Sequence, residues 1–246
     1  MSKKKKAIII SISSILGVVV ILISIFFIYV SMYYHVEDYI ITGFVATKEV
    51  TVNEIGDKTL EIKGKDESNK AGIIFYPGGK VEYTAYEPIL ASIAEHGYTC
   101  ILPHMTFNLA VLSPNKADGY ITKYPEIKTW YMAGHSLGGV VASIYASKHL
   151  DSFTGVINLA SYPNDDISST ELRMLNIYGS EDKVLEREKY NASKSKWPAD
   201  TTEYVIEGGN HAYFGMYGKQ KGDGEATITN EKQIELATNK ILEFLA

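Results

Sequence analysis

From Ile55 to the C-terminus, short apolar runs of β character alternate with stretches of helical spacing, and this alternation constrains the fold more than any other feature. The runs span residues 59–62, 72–76, 99–102, 129–133, 155–159, 174–178 and 202–206, and residues 45–52 add a strand upstream. Helical patterns fill the gaps at 86–96, 137–149, 185–194 and 230–245. In the last of these Ile234, Ala237, Ile241 and Leu245 share a face, and Thr229 or Asn230 can cap its start. Such a pattern predicts an α/β fold, a mostly parallel sheet of about eight strands with helices on both faces. Chemistry is then expected just beyond the carboxyl ends of the strands. No internal repeat and no long Pro/Gly/Ser-rich linker divides this body, which is taken as residues 55–246.

Ahead of it lies a segment of a different kind. Residues 7–30 (AIIISISSILGVVVILISIFFIYV) are almost unbroken apolar sequence without a charge, preceded by Lys3 to Lys6. As a helix this run is roughly 36 Å long, enough to cross a hydrocarbon core of about 30 Å. A cleaved signal peptide would have a shorter apolar region and a small-x-small site; neither is present, and Tyr29, Tyr33 and Tyr34 fit an interfacial belt. The expectation is an uncleaved single-pass anchor over 7–30, with cleavage as the alternative. A basic tail over 1–6 would then lie in the cytoplasm, and 31–54 would lead into the extracytoplasmic body. The net charge is −5, from 24 basic and 29 acidic residues, and the basic tail is included in that balance. The acidic body gives no reason to expect nucleic acid as a partner. With a single cysteine, Cys100, there can be no internal disulfide and no cysteine-rich metal site. Lysine dominates arginine, and an exported chain of this kind fits a Gram-positive bacterial surface.

After residues 129–133 comes Gly134-His135-Ser136-Leu137-Gly138-Gly139, opening the helical pattern at 137. A Gly-x-Ser-x-Gly between strand and helix makes a tight turn that exposes the serine hydroxyl. Serine needs a base, and the base needs a third group to orient it. On such a turn the acid and then the histidine follow in the chain. Gly179-Ser180-Glu181-Asp182 and Glu207-Gly208-Gly209-Asn210-His211 close two later strands in that order. Ser136, Asp182 and His211 are therefore the candidate triad, with Glu181, Asp165 and Asp166 as rival acids. His135, beside the nucleophile, is expected to pack against it or tune it. The oxyanion donors are expected to be the Leu137 N–H and the Gly79 N–H, the latter in the loop Pro77-Gly78-Gly79-Lys80-Val81. Lys80 reads either as a solvated lysine or as a contact to an anionic substrate.

Tyr76–Glu82 (YPGGKVE), Gly134–Gly139 (GHSLGG) and Glu207–Gly215 (EGGNHAYFG) resemble the α/β-hydrolases, and more narrowly a dienelactone-hydrolase-like bacterial group of which many members are membrane-anchored. Two departures stand out. Pro77-Gly78 replaces the usual His-Gly of the oxyanion loop, and serine replaces the nucleophilic cysteine of the dienelactone hydrolases proper. The resemblance implies an α/β-hydrolase fold and ester cleavage through an acyl-enzyme on Ser136, without cofactor or metal. Acyl transfer, thioester cleavage and peptide cleavage share that triad. A surface module binding a partner through an idle cleft is the reading from another class. The segment after 155–159 leaves no room for a large lid, so the expected substrate is a small-molecule or surface-displayed ester. Tyr162, Tyr213, Phe214 and Phe107, with Met216 and Tyr217, are the expected apolar walls. Residues 221–225 (KGDGE) read as a turn, since they lack the ligand spacing of a calcium loop.

Overall fold

The computed structural model describes residues 2–37, 50–65 and 71–246, and the chain falls into two compact units, Met1–Tyr33 and Tyr34–Ala246. The first is a single helix, α1 (Lys3–Ser31), capped by the Ser2 hydroxyl, which accepts the Lys5 N–H. Within it Ser11–Ser31 is long and apolar enough to cross a membrane, about 31 Å at the helical rise.

In the second unit the runs form an eight-stranded sheet: β1 (Val50–Glu54), β2 (Leu60–Gly64), β3 (Gly72–Tyr76), β4 (Thr99–Leu102), β5 (Trp130–His135), β6 (Gly155–Leu159), β7 (Arg173–Gly179) and β8 (Thr201–Ile206). Their order is β1-β2-β4-β3-β5-β6-β7-β8, with β1 and β2 antiparallel to their neighbours and the remaining pairs parallel. Strands β3, β5 and β6 are buried along their whole length, because helices cover both faces. Successive side chains of β3 serve opposite cores. Ile73 and Phe75 pack with Ile89, Leu90 and Ile93 of α2 (Glu87–Ala94) and with the C-terminal helix. Ile74 and Tyr76 pack with helix α4 (Leu137–Ser147), which lies on the other face through Val141, Ala142 and Tyr145.

The strand expected at 45–52 is seen from Val50; residues 45–49 lie outside the described residues. The helix expected at 185–194 is α5 (Arg187–Ser193), and the last, α6 (Asn230–Leu245), is capped by Thr229. Between β4 and β5 the chain makes turns at Thr106–Asn108 and Ala110–Leu112 and a short helix, α3 (Tyr120–Lys123). These are too short to leave a periodic signal. Residues 160–172 carry no helix, in keeping with the absence of a large lid.

The close fit of α4 under β3 rests on one missing side chain. A Cβ on Gly138 would stand 2.2 Å from the carbonyl oxygens of both Tyr76 and Pro77. Neither backbone oxygen can move without breaking the sheet, so Gly138→Ala is expected to destabilise the body by about 3 kcal/mol. Thermal melting of the full chain in detergent tests this; an unchanged midpoint would mean that the helix is not seated as described.

Candidate active site

The carboxyl ends of β3, β5, β6, β7 and β8 open on one edge of the sheet, and the chemistry-bearing residues lie in the loops that leave them. At the end of β5 the chain reverses into α4 at Ser136, whose backbone has φ 51° and ψ −124°. A non-glycine residue held there stores about 1–3 kcal/mol of strain. Three hydrogen bonds hold it: the Ser136 N–H donates to Leu159 O at 2.9 Å, and Ser136 O accepts the Ser161 hydroxyl at 2.8 Å and the Val140 N–H at 3.2 Å. Gly134 makes the turn possible, since a Cβ there would meet Gly139 N at 2.6 Å.

As the first residue of α4, Leu137 has an N–H without a helical acceptor. Gly79 lies against it, within 2.9 Å of Leu137 Cδ2 measured from the place a Cβ would take. Lys80 N–H is committed to Asn108 O at 2.7 Å, whereas neither Gly79 N–H nor Leu137 N–H donates to any acceptor among the described residues.

In the loop after β7 the Asp182 carboxylate is buried and its acceptors are used in three directions. Oδ1 takes the N–H groups of Val184 (2.9 Å) and Leu185 (2.8 Å), and Oδ2 lies 2.9 Å from His211 Nδ1. An ionised carboxylate only accepts, so Nδ1 is the nitrogen that donates to Asp182; in the Nδ1–H tautomer of the neutral ring Nε2 is the acceptor. That Nε2 is buried and has no hydrogen-bond partner. The rival acids are engaged elsewhere: Glu181 with Ser180, Asp165 with Ser147, Asp166 with Ser168. Ser136 and His211 line one cavity of about 220 Å³ together with Leu137, Ala160, Tyr162 and Glu186. No Ser136 Oγ–His211 Nε2 hydrogen bond is formed among the described residues. Catalytic hydrogen bonds of this kind commonly tighten only around substrate.

Of the four aromatic walls expected, Tyr162 alone lines this cavity. Phe214 needs correction: it is wholly buried in the core, its ring 5.8 Å from that of His135. Met216 and Tyr217 are core residues as well. Tyr213 is half-buried, with its N–H on Asn210 Oδ1, and Phe107 stands exposed on the turn at Thr106–Asn108.

Several residues that organise the site carry no motif. His135 is buried between three loops. Tyr86 Oη accepts the Gly78 N–H at 3.1 Å and lies 2.7 Å from His135 Nδ1, while His135 Nε2 lies 3.0 Å from the His211 carbonyl. A carbonyl only accepts, so Nε2 carries the proton and Nδ1 receives the Tyr86 hydroxyl. Burial, and then the neighbouring His211, hold the His135 imidazole well below its ordinary value, and burial raises the Tyr86 phenol. Both therefore stay neutral and keep their donor roles.

The histidine loop has a second support. Gln233 of α6 brackets the Asn210 backbone, accepting its N–H at 2.9 Å and donating to its carbonyl at 2.8 Å. Asp223 ties the acid and histidine loops together through the N–H groups of Lys183 and Ala212. Residues 221–225 do form a turn, with Asp223 N–H on Gln220 O, and that turn also acts as a strut. Gln233 left a faint signal as a polar residue on the apolar stripe of α6; Asp223 and Tyr86 left none.

The sequence model of the Alpha/beta hydrolase family matches residues 72–235. No curated protein sequence matches the chain significantly. Among solved structures, a dienelactone hydrolase from Anabaena variabilis superposes with a TM-score of 0.57 at 12% identity, covering 80% of this chain and 100% of its own. A predicted CIB-like hydrolase from Thermoplasma acidophilum gives 0.56 at 13%, covering 79% and 99%. Est1E from Butyrivibrio proteoclasticus gives 0.55 at 15%, covering 80% and 99%. At these identities the likeness is one of fold.

The neutral His135 has a measurable consequence. Unfolded, its imidazole returns to an ordinary value of 6.5 and binds protons that the folded form refuses. Its contribution to stability is therefore complete above that pH and is lost as pH falls below it, with a slope of up to about 1.4 kcal/mol per pH unit. Melting curves between pH 7.5 and 5 should show this acid loss in the parent and a shallower one in His135→Gln. Parallel slopes would mean that His135 is protonated in the fold.

Proposed function

The chain belongs to the alpha/beta hydrolase family, and from that premise we propose that it is a serine hydrolase cleaving carboxylic esters through an acyl-enzyme on Ser136. The observation that carries this reading is the state of His211. Asp182 pins its Nδ1, and its bare Nε2 has no other partner and shares a cavity with the strained Ser136.

In this reading Ser136 Oγ attacks the ester carbonyl and gives its proton to His211 Nε2. Asp182 keeps the imidazole in the reactive tautomer and stabilises the imidazolium. The negative charge that develops on the carbonyl oxygen meets the N–H groups of Leu137 and Gly79, which have no acceptor among the described residues. Collapse expels the alcohol, protonated by His211. Water then enters, loses a proton to His211 and releases the acid. The cavity of about 220 Å³ suits a short acyl group. Helix α1 serves as an uncleaved anchor, with Lys3–Lys6 in the cytoplasm and the body outside.

Two measurements test the reading. Ser136→Ala and His211→Ala are each expected to lower kcat on aryl acetates by a factor on the order of 10³–10⁶. Only a few-fold loss in His211→Ala would remove it as the base. N-terminal mapping of membrane-extracted protein should recover Lys3–Lys6, and a mature terminus near Ser31 would replace the anchor by a cleaved signal.

A further inference from the structure

Chain connectivity and surface chemistry both bear on where the mouth of this site is used. Helix α1 ends at Ser31, and by Tyr34 the chain is already part of the body. Tyr34 N–H donates to Lys80 O at 2.8 Å, Glu82 N–H donates to Tyr34 O at 2.8 Å, and Tyr34 Oη accepts the Lys221 N–H at 3.0 Å. The same segment forms a short parallel bridge with Val81. Residues 80–82 directly follow Gly79, the proposed oxyanion donor. However the two units are arranged, the chain from Ser31 to Tyr34 reaches at most about 10 Å. A membrane holding α1 would therefore bring its surface near the oxyanion loop, at the carboxyl edge of the sheet.

The surface chemistry at that edge is unusual. Among the described residues after Tyr33, the exposed large apolar side chains are Phe107 (41%), Val111 (50%), Leu112 (46%) and Leu150. Three of the four lie in one loop beside the site. Asn108 O holds the Lys80 N–H, and Ala110–Leu112 packs against α4, which begins at Leu137. Phe107 has a φ of 54°, a left-handed conformation that a bulky side chain rarely adopts. Clustered exposed apolar side chains mark places where a protein meets lipid or a partner.

We propose that Phe107, Val111 and Leu112 dock the mouth of the Ser136 site on the outer face of the bilayer, so that the substrate is an ester whose apolar part resides in the membrane and whose short acyl group enters the cavity. This rests on the ester-hydrolase and anchor readings above. Water cleaves the acyl–oxygen bond, leaving a water-soluble carboxylic acid and a membrane-resident alcohol.

The test uses the full chain in vesicles of palmitoyl-oleoyl phosphatidylglycerol and phosphatidylethanolamine containing doxyl-labelled lipid. An environment-sensitive fluorophore is attached at Leu112→Cys or at Leu150→Cys. Cys100 is wholly buried and does not compete for label. Leu150 follows α4 and precedes β6, at the amino ends of the parallel strands, and so serves as the distant control. Quenching at Leu112→Cys with none at Leu150→Cys is the expected result; equal quenching, or none at Leu112→Cys, overturns the proposal. Acetate release is then followed from 1,2-dioleoyl-3-acetylglycerol in the vesicles and from water-soluble p-nitrophenyl acetate. The double variant Val111→Ser, Leu112→Ser should lose about tenfold on the bilayer ester and stay within about twofold on the soluble one. A parallel fall on both esters overturns the substrate class. Ser136→Ala separates the two readings: turnover retained in that variant strikes the hydrolase assignment, while its quenching pattern still judges the docking surface.

Discussion

The site depends on the backbone reversal at Ser136. A serine at φ 51° between β5 and α4 is unfavourable by itself, and it persists because its own N–H and carbonyl are fixed by β6 and by Ser161. The reversal makes the Leu137 N–H the first of a helix, without an acceptor among the described residues. It also forces the helix so close to β3 that Gly138 lies against the carbonyls of Tyr76 and Pro77. The exposed turn, the unaccepted Leu137 N–H and the packing of the 77–81 loop thus follow from one strained residue.

Around that residue the loops are coupled by buried hydrogen bonds. Gly78 N–H, Tyr86 and His135 form a chain that starts in the loop after β3 and ends on the carbonyl of His211. Gln233 and Asp223 hold the same histidine loop from the C-terminal helix and from the 221–225 turn. Each partner is neutral or fully satisfied, which makes such a network rigid rather than costly. On the histidine loop His211 Nε2 is buried without a hydrogen-bond partner among the described residues, and His211 lines a cavity together with Ser136.

Much of this was legible in the chain. Alternating periodicities predicted strands β2 to β8 and four helices near their observed limits, because each run buries a face whose spacing is written locally. The apolar N-terminal run was equally plain. Chain order alone left Asp182 in competition with Glu181, Asp165 and Asp166, and the contact to His211 Nδ1 separates them. Phe214 shows the opposite failure: an aromatic in a site loop reads the same from sequence whether it lines a cavity or supports the histidine beside it.

By itself the sequence determined the α/β architecture, the elbow with its glycines and the order of serine, acid and histidine, because these depend on residue type and spacing along one stretch of chain. Only the tertiary structure decided which carboxylate faces the histidine, which N–H groups stay free and that Tyr86, Gln233 and Asp223 brace the loops. It alone brought Tyr34 and the turn at Thr106–Asn108 against the loop at 77–82. These are pairings across tens to more than a hundred residues, and they arise when parallel strands bring the ends of distant segments to one edge.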